Sequence, residues 1–203
     1  MTTLLIIAKA PVPGRVKTRL TPPWTPEQAA GLAEAALTDT LHAVLDCPAQ
    51  RRILVLDGAV GAWLPPGFEV AAQSGGGLDE RLAAAFALCT GPALLVGMDT
   101  PQITPALLAP ALDGWDDCDA WFGPAYDGGF WALGLAEPRG DLIRGVPMST
   151  PVTGAVQRKR LTDAGLTVRD LPPLRDVDTD ADARLVAAEF PHTRFAAALG
   201  AAA

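Results

Sequence analysis

The sequence predicts a single layered α/β domain built on a mainly parallel sheet. Three observations lead there. Strand-like apolar runs alternate with helix-length segments along the chain. The run ALLVG at 93–97 is apolar throughout, as a strand covered on both faces must be. Thr-Pro pairs, which start helices, recur between the strands at 25–26, 104–105 and 150–151. With 49% hydrophobic and 19% charged residues, the 203-residue chain has material for one sizeable core. No internal repeat or linker divides it, so residues 1–203 are read as one domain.

The elements follow in order. The run TLLIIA at 3–8 reads as a buried strand that breaks into the Pro/Gly-rich loop KAPVPGRVKTRL at 9–20. Thr25, Pro26 and Gln28 form a capping-box pattern that opens a helix over 26–46. Strands are expected at 52–57 and 68–72, a helix at 79–89, the apolar strand at 93–97, and a helix at 105–112 capped by Thr104. The adjacent strands 119–123 and 130–135 interrupt the alternation and predict an antiparallel section that forms part of a site wall. A helix over 151–164, a strand over 166–170 and a helix over 180–189, capped by Thr179 with Asp182 three residues on, complete the series. His42 and His192 fall on predicted helices without motif partners, so structural or surface roles are expected. The Ala-rich tail, 198–203, is expected to fray.

Composition excludes several classes of function. The net charge of −7 argues against a nucleic-acid footprint, which needs a basic face. Cys47, Cys89 and Cys118 are far apart and outside any CxxC pattern, which predicts buried free thiols rather than a zinc site. No apolar run is long enough to span a membrane, and the chain opens straight into a strand without a basic leader. A cytoplasmic protein is expected.

Against this acidic background the loop at 9–20 stands out. Arg15, Lys17 and Arg19 put three cations just beyond a strand end, where α/β sheets bind ligands, and Gly14 lets the backbone approach a bound group. The loop reads as a polyphosphate clamp. It is neither a P-loop, since Val16 rather than glycine precedes Lys17, nor a GxGxxG fingerprint.

Four further constellations could carry chemistry. QSGGGLDER at 73–81 follows a strand and opens a helix; its glycines permit backbone contact with a flat base and Gln73 can bond a base edge, or the segment is an ordinary connection. Asp99 stands just past the most apolar strand, placed to hold Mg²⁺ or Mn²⁺ against phosphate oxygens, or to cap the next segment. Asp127-Gly128-Gly129 is a hairpin signal first, and can also present a carboxylate and N–H groups to an acceptor. Asp176, Asp178 and Asp180 crowd together more than helix capping requires; a divalent metal would relieve their repulsion, with Asp178 as the second ligand if the fold brings it near Asp99. The tryptophans are expected as core or loop anchors, with Trp131 able to line a pocket. No Ser/His/Asp or Cys/His arrangement supports covalent catalysis.

As a set, AKAPVPGRVKTRL, QSGGGLDERL, GMDTPQIT, GPAYDGGFWALGL and DVDTDAD resemble the bacterial DUF2064 family, within the GT-A-like superfamily of nucleotidyltransferases and nucleotide-sugar glycosyltransferases. The resemblance runs from about residue 3 to 188 and implies a three-layer α/β/α sandwich with a mainly parallel mixed sheet. It implies nucleotide contacts at Ala8, Pro13, Gly14, Arg15, Lys17, Arg19, Gln73, Gly75, Gly76, Gly77 and Arg81. It implies acceptor contacts at Asp127, Gly128, Gly129 and Trp131, metal ligands Asp99 and Asp178, and catalytic roles for Lys17, Asp99 and Asp127. The chain departs from the superfamily in lacking a GxGxR loop and in carrying Pro101 where a DxD glycosyltransferase has a second acid.

Three functions are therefore in play. The first is nucleotidyl transfer from an NTP to a small phosphorylated acceptor, favoured by three cations in one loop. The second is glycosyl transfer from an NDP-sugar, with Asp127 as base. The third is nucleotide binding without catalysis. The implied partners are a nucleotide or nucleotide-sugar donor and a small-molecule acceptor, and an exposed apolar edge strand leaves a homodimer open.

Overall fold

The structure, a computed structural model, describes residues 1–202. Among them, seven strands form one mixed sheet: β1 (Thr3–Lys9), β2 (Arg51–Asp57), β3 (Glu69–Ala72), β4 (Ala93–Val96), β5 (Ala120–Pro124), β6 (Phe130–Leu135) and β7 (Val168–Asp170). Their order is β3-β2-β1-β4-β6-β5-β7. β1, β2, β3 and β4 run parallel, and β6 is antiparallel to both β4 and β5, so the hairpin expected from the adjacent runs is the antiparallel insertion.

The period-2 alternation of strands builds two cores. Leu4 and Ile6 of β1, Leu54 and Leu56 of β2, and Leu94 and Val96 of β4 face one side. There they meet Ala33, Leu37 and Leu41 of α1 (Pro26–Leu45), Leu108 of α3 (Pro105–Leu108) and Leu112 of α4 (Pro110–Asp113). Leu5, Ile53, Val55 and Leu95 face the other side, against Leu82 and Phe86 of α2 (Leu78–Phe86) and Leu161 of α5 (Thr153–Asp163). Helices on both faces of a central sheet make the three-layer sandwich.

A third cluster lies outside these layers. Leu20, Trp24, and Ala29, Leu32 and Ala36 of α1 pack with Val177, with Ala183 and Val186 of α6 (Asp180–Glu189), and with Phe195 and Leu199 of α7 (Arg194–Ala202). Helix α1 is thus buried on two sides. The cluster clamps the end of the 9–20 loop onto the segment that precedes α6.

Several expectations are corrected. Residues 198–202, expected to fray, complete helix α7, with Leu199 buried and Gln28 Nε2 donating to the Ala202 carbonyl; Ala203 lies outside the described residues. The helix expected over 105–112 is two short helices, because Pro110 has no N–H to continue the first. Helix α5 starts at Thr153 rather than 151: Thr153 Oγ1 accepts from Thr150 N and donates to the Pro147 carbonyl, so Thr150 and Pro151 form a turn. His192 sits in the turn between α6 and α7, not on a helix. The three cysteines are buried and free, and burial pushes the Cys47 thiol up to about 11. Among the described residues no helix is long and apolar enough to cross a membrane.

Candidate functional site: a charge-divided cavity at the strand ends

The site opens where β1 parts from β4. Their pairing stops at Ile6↔Val96, while β1 continues alongside β2 as far as Lys9↔Asp57. The chain leaves β1 toward β2 on one side and meets β4 on the other, so this is a topological switch point of the sheet. Beyond it lies a cavity of about 780 Å³.

Sheet order divides the charges around that cavity. Lys9, Arg15, Lys17 and Arg19 come from β1 and its loop, and Arg81 from α2, which follows β3. Asp99 follows β4, Asp127 lies in the β5–β6 hairpin, and Asp176, Asp178 and Asp182 come from the segment beyond β7 and from α6. One half is basic, the other carboxylate-rich. The apolar surface between them comes from Leu78, Leu82, Met98, Phe130, Trp131 and Met148.

Lys17 crosses the divide. Its backbone has φ +48°, and its side chain is only 8% exposed. The ammonium lies 2.5 Å from Asp99 Oδ1 and 3.5 Å from Asp178 Oδ1, and donates to the Val177 carbonyl. Arg19 Nη1 takes the other Asp178 oxygen at 3.2 Å. Burial works against the charge on Lys17, but Asp99, Asp178 and Asp176 outweigh it and hold the ammonium above its ordinary value. The two loops that carry the acids are stitched together: Val177 N donates to the Asp99 carbonyl (2.9 Å), and Gln102 Nε2 to the Arg175 carbonyl (2.8 Å).

Sequence reasoning placed Asp176 in the acidic cluster but gave it no role of its own. Burial, then the negative charges of Asp99 and Asp127, push its carboxyl up to about 7, with Lys17 opposing. A signal was available in the acid–apolar–acid alternation of Asp176-Val177-Asp178: Val177 is buried in the third cluster while the acids on either side of it line the cavity. Lys9, Ser149 and Thr153 also line the cavity and were not singled out.

The other expected residues divide. Ala8, Arg15, Lys17, Arg19, Gln73, Arg81, Asp99, Asp127, Gly129, Trp131 and Asp178 line the cavity. Pro13, Gly14, Gly75, Gly76, Gly77 and Gly128 do not; all but Gly128 are exposed outside its wall. Gln73 spends its amide N–H₂ on the carbonyls of Ala8 (2.8 Å) and Val55 (3.2 Å), leaving its oxygen for a ligand. Gly128 (φ +90°) is pressed against Pro151, where a Cβ would come within 2.1 Å of the carbonyl oxygen. The Asp127 turn is a tight hairpin, with Asp127 Oδ1 accepting from Gly129 N, and it also forms cavity wall. Trp131 is an anchor: its ring is buried and its N–H donates to the Pro172 carbonyl.

The donor set fits a hard divalent cation. Among the described residues no three metal-ligating side chains form a ready-made cage. Asp99 and Asp178 nonetheless already clasp a positive charge, the Lys17 ammonium. Mg²⁺ is commonly held by one or two carboxylates, with substrate phosphates and water completing the shell.

Comparison with known proteins gives the same architecture. A protein of Desulfovibrio desulfuricans G20, named as a candidate nucleotide-diphospho-sugar transferase, superposes with TM-score 0.88 at 28% identity, over 98% of this chain and 94% of that one. Two more distant structures share the fold. The 2-C-methyl-D-erythritol 4-phosphate cytidylyltransferase of Thermus thermophilus matches with TM-score 0.57 at 16% identity, covering 93% and 98% of the two chains. Rv0371c of Mycobacterium tuberculosis H37Rv, in complex with manganese, matches with TM-score 0.51 at 20% identity, covering 92% and 98%. No curated protein matches the sequence. The family model described as "Uncharacterized protein conserved in bacteria (DUF2064)" matches residues 32–150, from inside α1 to the turn before α5, and the chain belongs to that family.

Proposed function

We propose that the chain is a metal-dependent transferase that takes a nucleotide donor, and that it transfers a nucleotidyl group from an NTP to a small acceptor. The observation that carries this reading is the gathering of five cations around one cavity, with Lys9, Arg15 and Arg81 in its basic half and Lys17 and Arg19 reaching across to Asp99 and Asp178. The cations neutralise the donor's phosphates and the departing pyrophosphate. A divalent metal held by Asp99 and Asp178 would supply charge neutralisation at the reacting phosphate. The free oxygen of Gln73 accepts from the base, and the apolar surface of Leu78 and Leu82 shields it from water.

A second reading, glycosyl transfer from an NDP-sugar, is favoured by the acceptor side. Among the described residues Asp127 and Asp176 form no ion pair, so a hydroxyl acceptor finds a base, whereas a phosphorylated acceptor meets repulsion. The likeness to the Desulfovibrio protein points the same way.

Calorimetric titration of NTPs and NDP-sugars, with and without Mg²⁺, into wild type and Asp99→Asn tests both. Metal-dependent preference for one NTP that is lost in the variant supports nucleotidyl transfer. Preference for an NDP-sugar selects the second reading, and binding of neither overturns the donor assignment.

A further inference from the structure

We propose that Lys17 is an internal counter-cation that competes with the divalent metal for Asp99 and Asp178, so that metal and donor phosphate bind with positive coupling through this one side chain. The inference rests on the donor reading of the cavity, and adds to it how loading of the site is regulated.

The ammonium has three N–H donors, and the structure satisfies all three, at Asp99 Oδ1, Asp178 Oδ1 and the Val177 carbonyl. It lies between the two carboxylates that a metal would need. A divalent cation there would stand against a buried positive charge, so metal and ammonium exclude one another. Lys17 and Ser149 are, among the described residues, the non-glycine residues with positive φ, and both line this cavity. Backbone strain of that kind persists only where surrounding contacts hold it. At Lys17 those contacts include the Leu20 N–H on its carbonyl and, at the side chain, Asp99 and Asp178, the two that a metal would take.

The energetics then follow from where the displaced ammonium can go. A metal arriving alone takes two of the three acceptors and leaves a buried cation short of partners, so it binds weakly. Donor phosphate in the basic half offers new acceptors to the released ammonium, beside Lys9 and Arg15. Phosphate therefore strengthens metal binding, and by linkage the metal strengthens phosphate binding by the same factor. Lys17 also explains how Asp99 and Asp178 stay together before loading. Without a cation between them, two carboxylates on different loops would repel.

Three measurements test this, and none uses turnover. Mn²⁺ alone, titrated by the loss of its free paramagnetic-resonance signal, is expected to bind Lys17→Met about tenfold or more tightly than wild type, because a competing charge is gone. Equal or weaker binding by a folded variant overturns the proposal. Should the variant fail to fold, amine acylation followed by mass spectrometry reads the same event in the wild-type protein, with exposed Lys159, outside the cavity, as the reference. Lys17 is expected to be protected without metal, to gain reactivity with Mg²⁺ alone, and to be protected again with Mg²⁺ and pyrophosphate. Reactivity unchanged by Mg²⁺ overturns the proposal. Finally, pyrophosphate is expected to raise Mn²⁺ affinity more in wild type than in Lys17→Met; an equal rise removes the coupling. If the metal arms succeed while no nucleotide binds, the donor reading alone has failed. If nucleotide and metal bind but Lys17 does not respond, the counter-cation has failed and the donor reading stands.

Discussion

The Lys17 ammonium lies 2.5 Å from Asp99 Oδ1, and this contact ties the loop after β1 to the loop after β4 across the mouth of the cavity. The lysine side chain is 8% exposed and the aspartate 42%, so solvent screens the pair from one side only. Asp99→Asn leaves a buried ammonium facing a neutral group. It is expected to lower stability by about 1–2 kcal/mol, a value discounted for the exposed partner. An unchanged denaturation midpoint would show that the pair contributes nothing to the fold.

Arg15 is the contrasting case. It is exposed and forms no ion pair among the described residues. Arg15→Ala should therefore leave stability within about 0.5 kcal/mol of wild type, while nucleotide binding weakens by about tenfold through the loss of charge-assisted bonds to phosphate. Loss of stability with intact binding would reverse its assignment.

Asp176 predicts a pH dependence. Its folded carboxyl is pushed up to about 7, whereas an unfolded aspartate titrates near ~3.9. Between those values the folded state holds a proton that the unfolded state has lost, so this group's contribution to stability falls as pH rises through the window. Asp176→Asn should flatten that slope and raise stability above neutrality by on the order of 1–2 kcal/mol. Denaturant unfolding of both proteins on the acid and alkaline sides of the window measures the difference; parallel pH profiles would mean that neither burial nor the neighbouring carboxylates raise this carboxyl.

The hairpin that carries Asp127 is held by glycine contacts. A Cβ on Gly154 would lie 2.5 Å from the Gly129 carbonyl oxygen, and Gly128 meets Pro151 as closely. Gly154→Ala is expected to cost about 1–3 kcal/mol through overpacking and to lower transfer by moving Asp127. Thermal melts combined with the transfer assay check both; a silent substitution would show that the hairpin has room to shift.

Phe195 tests the third cluster. It is 1% exposed in α7 and packs in the group that includes Leu20 and Val177, neighbours of Lys17 and Asp178 in the chain. Phe195→Ala is expected to cost about 3–5 kcal/mol and to weaken nucleotide binding although no atom of it lines the cavity. Normal binding in a destabilised variant would show that the cluster supports the fold without positioning the site.

Elements whose cause is local were legible in the chain. The apolar runs of β1 and β4 and the caps at Thr25, Thr104 and Thr179 depend on neighbours a few residues away, and the structure contains each of them. Helix α7 was not legible, because an Ala-rich segment is a helix here through burial against α1 and α6. Thr150 carries the same signature as Thr104 yet caps nothing, since the Gly154 N–H to Gly128 carbonyl bond and the Thr153 hydroxyl place the helix start later. Of the acids at 176–180, the pattern pointed to Asp178; only packing of Val177 shows that Asp176 shares its cavity.

By itself the sequence determined a layered α/β fold, a basic loop beyond the first strand and acids beyond the fourth, because strand periodicity, capping and turn chemistry act over short distances. Tertiary structure decided which of these groups meet. Residues 17, 99 and 178 are far apart in the chain, and they converge because the strand order sets β1 beside β4 and the cluster of α1, α6 and α7 draws the segment before α6 back to the same edge. Charges act through space rather than along the chain, so whether Lys17 would face a phosphate or a pair of carboxylates was settled only by that packing.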